Sequence, residues 1–524
     1  MAILVVDPIS QDGIDVLQQH AEVEVRLGLS REELLALVPR FQALVVRSET
    51  RVTAEVIAAG ENLQVIGRAG VGVDNIDVDA ATERGIVVVN APAAITITTA
   101  EHTFGLIMAA ARNIAQAAQS LREGRWDRSK FVGTEMRGKT LGIYGMGRIG
   151  SAVAKRALAF EMDVIGFDPY LPEDVFQRLG VELVDLDGLF ARSDFLTLHV
   201  PATADNEDLI GAAELSKMKP SAWLINCARG ALVDEAALID ALDRGVIHGA
   251  ALDVFKIEPA ADNPLVRHPK VVATPHLAAS TREAQASVGV ETAEQILAVL
   301  DGRPAPFAVN APIVSGETAR VLGPYAQLTQ ALGNLGTQLA EGQLRSVEIT
   351  YSGEITDFDT TVLRASAIRG LLERVSGESV NLVNASIVAR NRGLRIDERK
   401  SASSQPYANL ISLKVETDRG TSTVGGTVIN GQPNIVCIDD YWLTVEPTGG
   451  HLLLIRHTDQ PGMIGKVGTI LGEADINISA MQVARESARG RALMLLSVDD
   501  PVPAEVVRKI SEVTNLRDVK LVRI

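Results

Sequence analysis

The sequence predicts an α/β protein in four parts: a doubly wound parallel sheet inserted in a second α/β unit, then an α+β region, then a βαββαβ module. Three observations predict it. Strand and helix signals alternate through roughly the first 300 residues. A glycine-rich strand–turn–helix lies well inside that stretch rather than at its start. The C-terminal end carries its own short series of strands and helices.

The first unit reads as strands Ile3 to Val6, Val23 to Arg26, Ala43 to Arg47, Gln64 to Gly67 and Val87 to Asn90, with helices near Gln11 to Gln19, Glu32 to Val38 and Ala54 to Ala59. This compact, flavodoxin-like unit precedes any nucleotide motif, so it needs another purpose. Thr98 to Gln119 then reads as one long helix with Thr98 or Thr99 as N-cap.

Lys139 to Tyr170 is the stretch around which the rest is organised. An apolar run from Leu141 to Tyr144 leads through Gly145, Gly147 and Gly150 into a helical pattern with Ile149, Val153 and Leu158, and a second run, Val164 to Phe167, ends on Asp168. This is G-x-G-x-x-G between strand and helix, with an acid 168 − 150 = 18 residues beyond the last glycine. It predicts a Rossmann-type sheet. Gly145 permits the tight turn, Gly147 admits a pyrophosphate and Gly150 lets helix and sheet pack closely. Asp168 would accept bonds from a ribose 2′-hydroxyl and repel a 2′-phosphate, favouring NAD over NADP.

Thr281 to Leu300 reads as a long helix that could return the chain to the first unit. The expected domains are therefore 1–97 with 282–310, 98–281, 311–448 and 449–524. Residues 311–448 show helices at Glu317 to Leu339 and Thr360 to Val375 and strands at Ala408 to Glu416 and Thr421 to Ile429, without a catalytic constellation. The last unit reads His451 to Arg456 (strand), Met463 to Glu473 (helix), Ile476 to Ala484 and Ala492 to Val498 (strands), Ala504 to Glu512 (helix) and Val519 to Arg523 (strand).

Composition narrows the function. A hydrophobic content of 46% in 524 residues supplies core for several domains, and a net charge of −16 argues against nonspecific nucleic-acid or anionic-membrane binding. An anionic substrate would need a local cluster of Arg or Lys. Two cysteines, Cys227 and Cys437, indicate neither a disulfide framework nor a thiolate metal site, and no metal is expected. The N-terminus reads as a first strand, not a signal peptide, so a cytoplasmic protein is expected.

In an open parallel sheet, ligands bind beyond the strands' C-terminal ends. Phe195 to Leu198 leads to His199-Val200-Pro201, Ala222 to Ile225 leads to Asn226 and Arg229, Ala250 to Val254 carries Asp253 and leads to Glu258, and Val271 to Thr274 leads to His276. Arg can grip a carboxylate in a bidentate fork. His can take a hydroxyl proton as hydride leaves, and Glu can orient the imidazole.

The segments Asn226 to Glu235, Asp253 to Pro259 and Thr274 to Thr281, with the fingerprint, resemble the signatures of the D-isomer-specific 2-hydroxyacid dehydrogenases. The resemblance covers residues 1 to about 310. It implies that Arg229, Glu258 and His276 are the substrate-binding Arg, the His-supporting Glu and the acid/base His. It also implies that Arg148, Ile149, Asp168, Cys227, Ala228, Asp253 and Ala279 surround NAD, with His199 and Pro201 at the preceding strand end. Lys256 stands where many relatives carry an acid.

Val45 to Ser48, Gly67 to Asn75 and Trp126 to Phe131 are similar to the members of that family that oxidise D-3-phosphoglycerate. That likeness implies Arg47, Arg68, Asn90 and Arg128 at or near a phosphorylated substrate, Arg128 reaching across a dimer interface. Arg456 to Gly465 and Ile476 to Ile478 resemble the ligand loop and second strand of an ACT domain, which pairs edge to edge and binds amino acids. This implies His457, Asp459 and Asn477 as a site for L-serine, and a homo-oligomer, dimer or tetramer. The implied activity is NAD-dependent oxidation of the phosphorylated hydroxyacid at the opening of serine biosynthesis, with serine as feedback inhibitor. Two other readings stay open: a hydroxypyruvate or glyoxylate reductase, and a dehydrogenase-fold protein that senses nucleotide without catalysis.

Overall fold

The computed structural model describes residues 1–524 except 313–315, 378–379, 403–405, 448–449 and 514–515. The expected boundary at 448/449 lies outside the described residues.

Five short strands, β1 (Ala2–Val5), β2 (Glu22–Val25), β3 (Ala43–Val46), β4 (Val65–Arg68) and β5 (Val87–Asn90), form a parallel sheet in the order β2-β1-β3-β4-β5. This is the flavodoxin-like order. Its central strands β1 and β3 are apolar and almost wholly buried because helices cover both faces. The helices in this unit are α1 (Gln11–Gln18), α2 (Arg31–Leu37), α3 (Ala54–Ala59) and α4 (Val78–Glu83), the last not anticipated from the sequence.

The expected helix from Thr98 to Gln119 is two helices, α5 (Thr96–Ala111) and α6 (Ile114–Arg122). Asn113 between them is left-handed, with φ 51°, a conformation asparagine tolerates better than most residues. The returning segment fills the break, since Thr134 N donates to Ala111 O at 2.7 Å. Thr98 and Thr99 lie inside α5 and cap nothing; the N-cap position is Ile95.

The second sheet is wholly parallel: β6 (Thr140–Tyr144), β7 (Asp163–Phe167), β8 (Glu182–Leu183), β9 (Phe195–Leu198), β10 (Trp223–Asn226), β11 (Gly249–Leu252) and β12 (Val271–Ala273), in the order β12-β11-β10-β9-β6-β7-β8. Counting from β6, this is the doubly wound order with a seventh strand, and it reverses between β6 and β9. Connecting helices α7 (Arg148–Ala159), α8 (Glu173–Leu179), α9 (Leu186–Arg192), α10 (Ala212–Lys217), α11 (Glu235–Arg244) and α12 (Pro264–Arg267) cover it. Asp253 lies just past β11, not within a strand as expected.

Helix α13 (Arg282–Leu300) then packs on the first sheet through Ile296 and Leu297. It touches α1 so closely that a Cβ on Gly13 would lie 2.6 Å from the Gly289 carbonyl carbon.

Beyond it, β13 (Leu344–Gly353), β14 (Arg395–Ser401), β15 (Asn409–Thr417), β16 (Thr421–Ile429), β17 (Gln432–Ile438) and β18 (Tyr441–Val445) form a mixed sheet under α14 (Gly316–Leu339), α15 (Thr361–Leu372) and α16 (Ala385–Asn391). The last unit is β19 (His451–Thr458), α17 (Met463–Glu473), β20 (Ile478–Arg485), β21 (Arg491–Val498), α18 (Ala504–Ser511) and β22 (Leu516–Arg523), in the antiparallel order β20-β21-β19-β22. Ile476 precedes β20 rather than opening it. Leu452, Leu454, Leu493 and Val522 of this sheet share one core with α14 and α15. Arg456 bridges the two units, within 2.6 Å of Asp439 and 2.5 Å of Asp518. Among the described residues no helix is long and apolar enough to cross a membrane.

Candidate active site

The two parallel sheets point their strand ends at one cleft of about 880 Å³. Arg47 follows β3, and Arg68 ends β4 in register with Val46 and Asn90, so the cationic side chains gather where three adjacent strands stop. Across the cleft, Arg229 follows β10, Glu258 follows β11 and His276 follows β12. Parallel neighbours with short loops bring these three to one edge, as the sequence reading expected.

Local bonds aim each group. Buried Asn226 accepts from Ala228 N at 3.0 Å and donates to Arg229 O at 2.8 Å, folding the loop that presents Arg229. A Cβ on Gly230 would lie 2.0 Å from the Phe255 carbonyl carbon, so this loop seats directly on the one carrying Glu258. Glu258 Oε1 accepts from Phe255 N at 3.0 Å, and its Oε2 lies 2.8 Å from His276 Nδ1. With Nδ1 engaged, Nε2 is the nitrogen left to exchange a proton with a ligand. His276 is half-exposed and left-handed, at φ 53°.

Asp253 makes that conformation possible. Its carboxylate is fully buried and accepts from Leu277 N at 2.7 Å, Ala278 N at 2.8 Å and Thr274 Oγ1 at 2.6 Å, with His102 Nε2 at 3.1 Å. Burial pushes this carboxyl up, but bonds from His102, Thr274 and the two amides outweigh it and hold it below the usual carboxylate range. Asp253 thus folds the loop bearing His276 and Ala279. His102, on α5, carries no motif in the sequence, and only the packing of α5 against β11 could have found it.

Arg68 is half-buried in the cleft. Burial, then repulsion from Arg229 and Arg47, pushes it down to about 10, so it remains charged at neutral pH, and its Nε is buried without a partner. A desolvated cation of this kind favours an anion. Arg51 and Asp74 also line the cleft although the sequence reading passed over both. Asn90 donates to Val71 O at 2.6 Å, bracing the loop after Arg68 rather than lining the cleft. Arg128 is exposed on the turn after α6 and does not reach the cleft of its own chain.

The residues of the glycine turn fit a dinucleotide. Gly145 has φ 95°, and a Cβ there would lie 2.6 Å from His199 O; a Cβ on Gly150 would lie 2.0 Å from Gly145 O. Nothing lies within 4 Å of a Cβ on Gly147, which opens α7. Asp168 accepts from Met146 N and from Tyr170 N, each at 3.0 Å, so its carboxylate is held beside the turn. His199 lies 3.1 Å from Thr197 Oγ1, and burial pushes it down to about 3, leaving the imidazole neutral. Cys227 is buried beneath the strand ends while Ala228 and Ala279 are partly accessible. Arg148 stacks on Phe307, its guanidinium carbon 4.7 Å from the ring centroid.

The three residues read as a serine site are not brought together within one chain. His457 pairs with Ala492 at one end of the module, whereas Asn477 precedes Ile478, which pairs with Val498 at the other. His457 is buried with Nε2 unpartnered. Asp459 is bound to Arg485 at 3.1 Å and Asn477 donates to Asp499 at 2.6 Å.

Residues 104–278 match the NAD-binding domain of the D-isomer-specific 2-hydroxyacid dehydrogenases, residues 321–439 the D-3-phosphoglycerate dehydrogenase intervening domain, and residues 451–515 the ACT domain. The chain is 48% identical over 523 residues to the D-3-phosphoglycerate dehydrogenase of Methanocaldococcus jannaschii, covering 100% of this chain and 99% of that one. It is 42% identical to the D-3-phosphoglycerate dehydrogenase of Bacillus subtilis, covering 99% of both. Among solved structures it is similar to the TT0316 protein from Thermus thermophilus (TM-score 0.54, 39% identity, 59% of this chain and 100% of that one). A glyoxylate reductase from Paecilomyes thermophila is also similar (TM-score 0.55, 31% identity, 59% of this chain and 98% of that one). The chain belongs to the D-3-phosphoglycerate dehydrogenase family, a branch of the NAD-dependent D-isomer-specific 2-hydroxyacid dehydrogenases.

Proposed function

We propose that this enzyme oxidises D-3-phosphoglycerate to 3-phosphohydroxypyruvate, the step that opens serine biosynthesis. The observation that carries the reading is one cleft in which the Glu258–His276 pair faces Arg229 and the half-buried cation Arg68. In a chain of net charge −16, such a cluster is a local exception suited to a substrate with two anionic ends.

NAD, when bound, supplies the hydride acceptor. Gly145, Gly147, Gly150, Arg148 and Ile149 would hold its pyrophosphate side, Asp168 its ribose, and His199, Pro201, Ala228 and Ala279 would line the remainder, with the buried Cys227 and Asp253 supporting them from behind. Arg229 grips the substrate carboxylate and fixes C2. His276 Nε2 takes the proton of the C2 hydroxyl as that carbon gives up hydride, and Glu258 stabilises the imidazolium that forms. Arg47 and Arg68 take the phosphate. Asn90 acts through Val71, keeping the loop in shape. Arg128 serves the cleft of a second copy, and the exposed Trp126, Val132, Leu121 and Ile114 beside it support a subunit contact there.

Serine regulation fits the C-terminal module. A second copy placed edge to edge would bring Asn477 of one chain to His457 and Asp459 of the other, which one chain alone keeps apart. A cytoplasmic setting is supported by two free thiols.

The test is NADH formation from a panel of 2-hydroxyacids with and without L-serine. The expected outcome is turnover of D-3-phosphoglycerate well above glycerate, lactate or glycolate, and a fall with serine. Preference for an unphosphorylated acid would overturn the substrate assignment.

A further inference from the structure

The cleft carries an acid of its own. Glu258 is engaged by His276 and by Phe255 N, and Lys256 is paired with Asp208, which leaves Asp74 as the other carboxylate on the wall. Asp74 follows β4, on the opposite wall from Arg229, yet its Oδ2 lies 3.4 Å from Arg229 Nε. Arg229 lies flat over the same loop, since a Cβ on Gly72 would be 2.1 Å from its Nη2. The Arg229 side chain is 30% exposed and the Asp74 side chain 75% exposed. The pair is therefore long, falls short of hydrogen-bond geometry and is open to water. It contrasts with the two-point contact a free carboxylate can make with a guanidinium fork.

We propose that Asp74 is an internal stand-in for the substrate carboxylate: it occupies Arg229 until substrate arrives and is then displaced into solvent. This rests on the reading of Arg229 as the carboxylate anchor. The chemistry follows from the charges. Burial is the main force that pushes Arg68 down; Arg229 and Arg47 add to it and Asp74 opposes it, so the acid relieves repulsion among the arginines while the cleft is empty. A weak, exposed ion pair costs little to break. Asp74 therefore sets a threshold that a ligand must beat at Arg229, making it a specificity residue against weakly held anions.

The experiment uses oxalate, a planar dicarboxylate with no hydrogen to transfer, as a competitive inhibitor of the full chain with NAD present. Asp74→Asn should lower its inhibition constant by about two- to fivefold, the factor expected when an exposed ion pair no longer competes. KM for the hydroxyacid should fall with it, and Asp74→Glu, which restores the charge, should move both back toward the native values. A higher KM and weaker oxalate inhibition in Asp74→Asn would show that Asp74 positions Arg229 instead, and an unchanged constant would show no competition; either result overturns the proposal. Arg229→Gln separates the premise from the inference. Oxalate inhibition that survives this substitution removes Arg229 as the anchor, whereas its loss there, with no tightening in Asp74→Asn, refutes the stand-in alone.

Discussion

Glu258 Oε2 stands 2.8 Å from His276 Nδ1 while the other oxygen of the same carboxylate accepts from Phe255 N at 3.0 Å. The carboxylate is therefore fixed at both ends, and its orientation is not free to adapt. In Glu258→Gln the amide oxygen must stay on Phe255 N, which turns the NH2 toward His276 Nδ1 and forces the proton onto Nε2. That tautomer cannot accept the substrate's proton. Turnover should fall about 10²- to 10⁴-fold with NAD affinity retained, measured by steady-state kinetics beside cofactor titration.

Two glycines of the turn should separate fold from ligand. Gly150→Ala puts a methyl 2.0 Å from Gly145 O, a backbone atom that cannot move cheaply, so stability should drop by about 1–3 kcal/mol together with NAD binding. Gly147→Ala meets no protein atom within 4 Å. Its melting temperature should stay near the native value while NAD binds more weakly, because the methyl enters the space left for pyrophosphate.

Asp168 should decide between the two dinucleotides. Its carboxylate is pinned beside the turn by Met146 N and Tyr170 N, so it would face a 2′-phosphate without room to withdraw. Asp168→Ala should weaken NAD and narrow the preference over NADP by roughly tenfold or more, a charge effect of about 1.4 kcal/mol. Kinetics with both cofactors will show it, and an unchanged ratio would remove Asp168 as the selector.

Acid should weaken the nucleotide domain through His199. Burial pushes this imidazole down to about 3, whereas in the unfolded chain it titrates near 6.5. Between those values the unfolded state binds a proton that the folded state refuses. Stability is therefore lost as pH falls through 6.5 toward 3, by up to about 1.4 kcal/mol per pH unit, and is independent of this group above 6.5. Urea titrations from pH 4.5 to 8 should show a slope smaller by one proton in His199→Gln.

Neither thiol should be reactive. Burial pushes Cys227 up to about 12 and Cys437 up to about 11, which leaves almost no thiolate at pH 8. A thiol reagent should titrate both slowly in the native protein and both at once in guanidinium; rapid loss of Cys227 in the native state would contradict its burial.

Much of the site is legible in the chain because its signals are local. Alternating apolar runs define the strands, and in a parallel sheet every residue just past a strand's C-terminal end meets the same edge, so Arg229, Glu258 and His276 could be grouped before any coordinates. The glycine turn and Asp168 are likewise set by spacing within one βαβ unit. The split of the helix at Asn113 escaped because the segment that caps it, around Thr134, lies beyond the helix and shows no periodicity of its own.

The sequence by itself determined the four-part α/β architecture, the dinucleotide turn and the three residues on strand ends, because backbone periodicity and turn chemistry act over a few residues. Tertiary structure alone decided that Asp74 reaches Arg229, that Asn90 braces Val71, that Asp253 and His102 shape the His276 loop, and that His457 and Asn477 stand at opposite ends of one sheet. Each of these depends on how two distant segments register against one another, and that register follows from the packing of whole helices and sheets rather than from the residues near either partner.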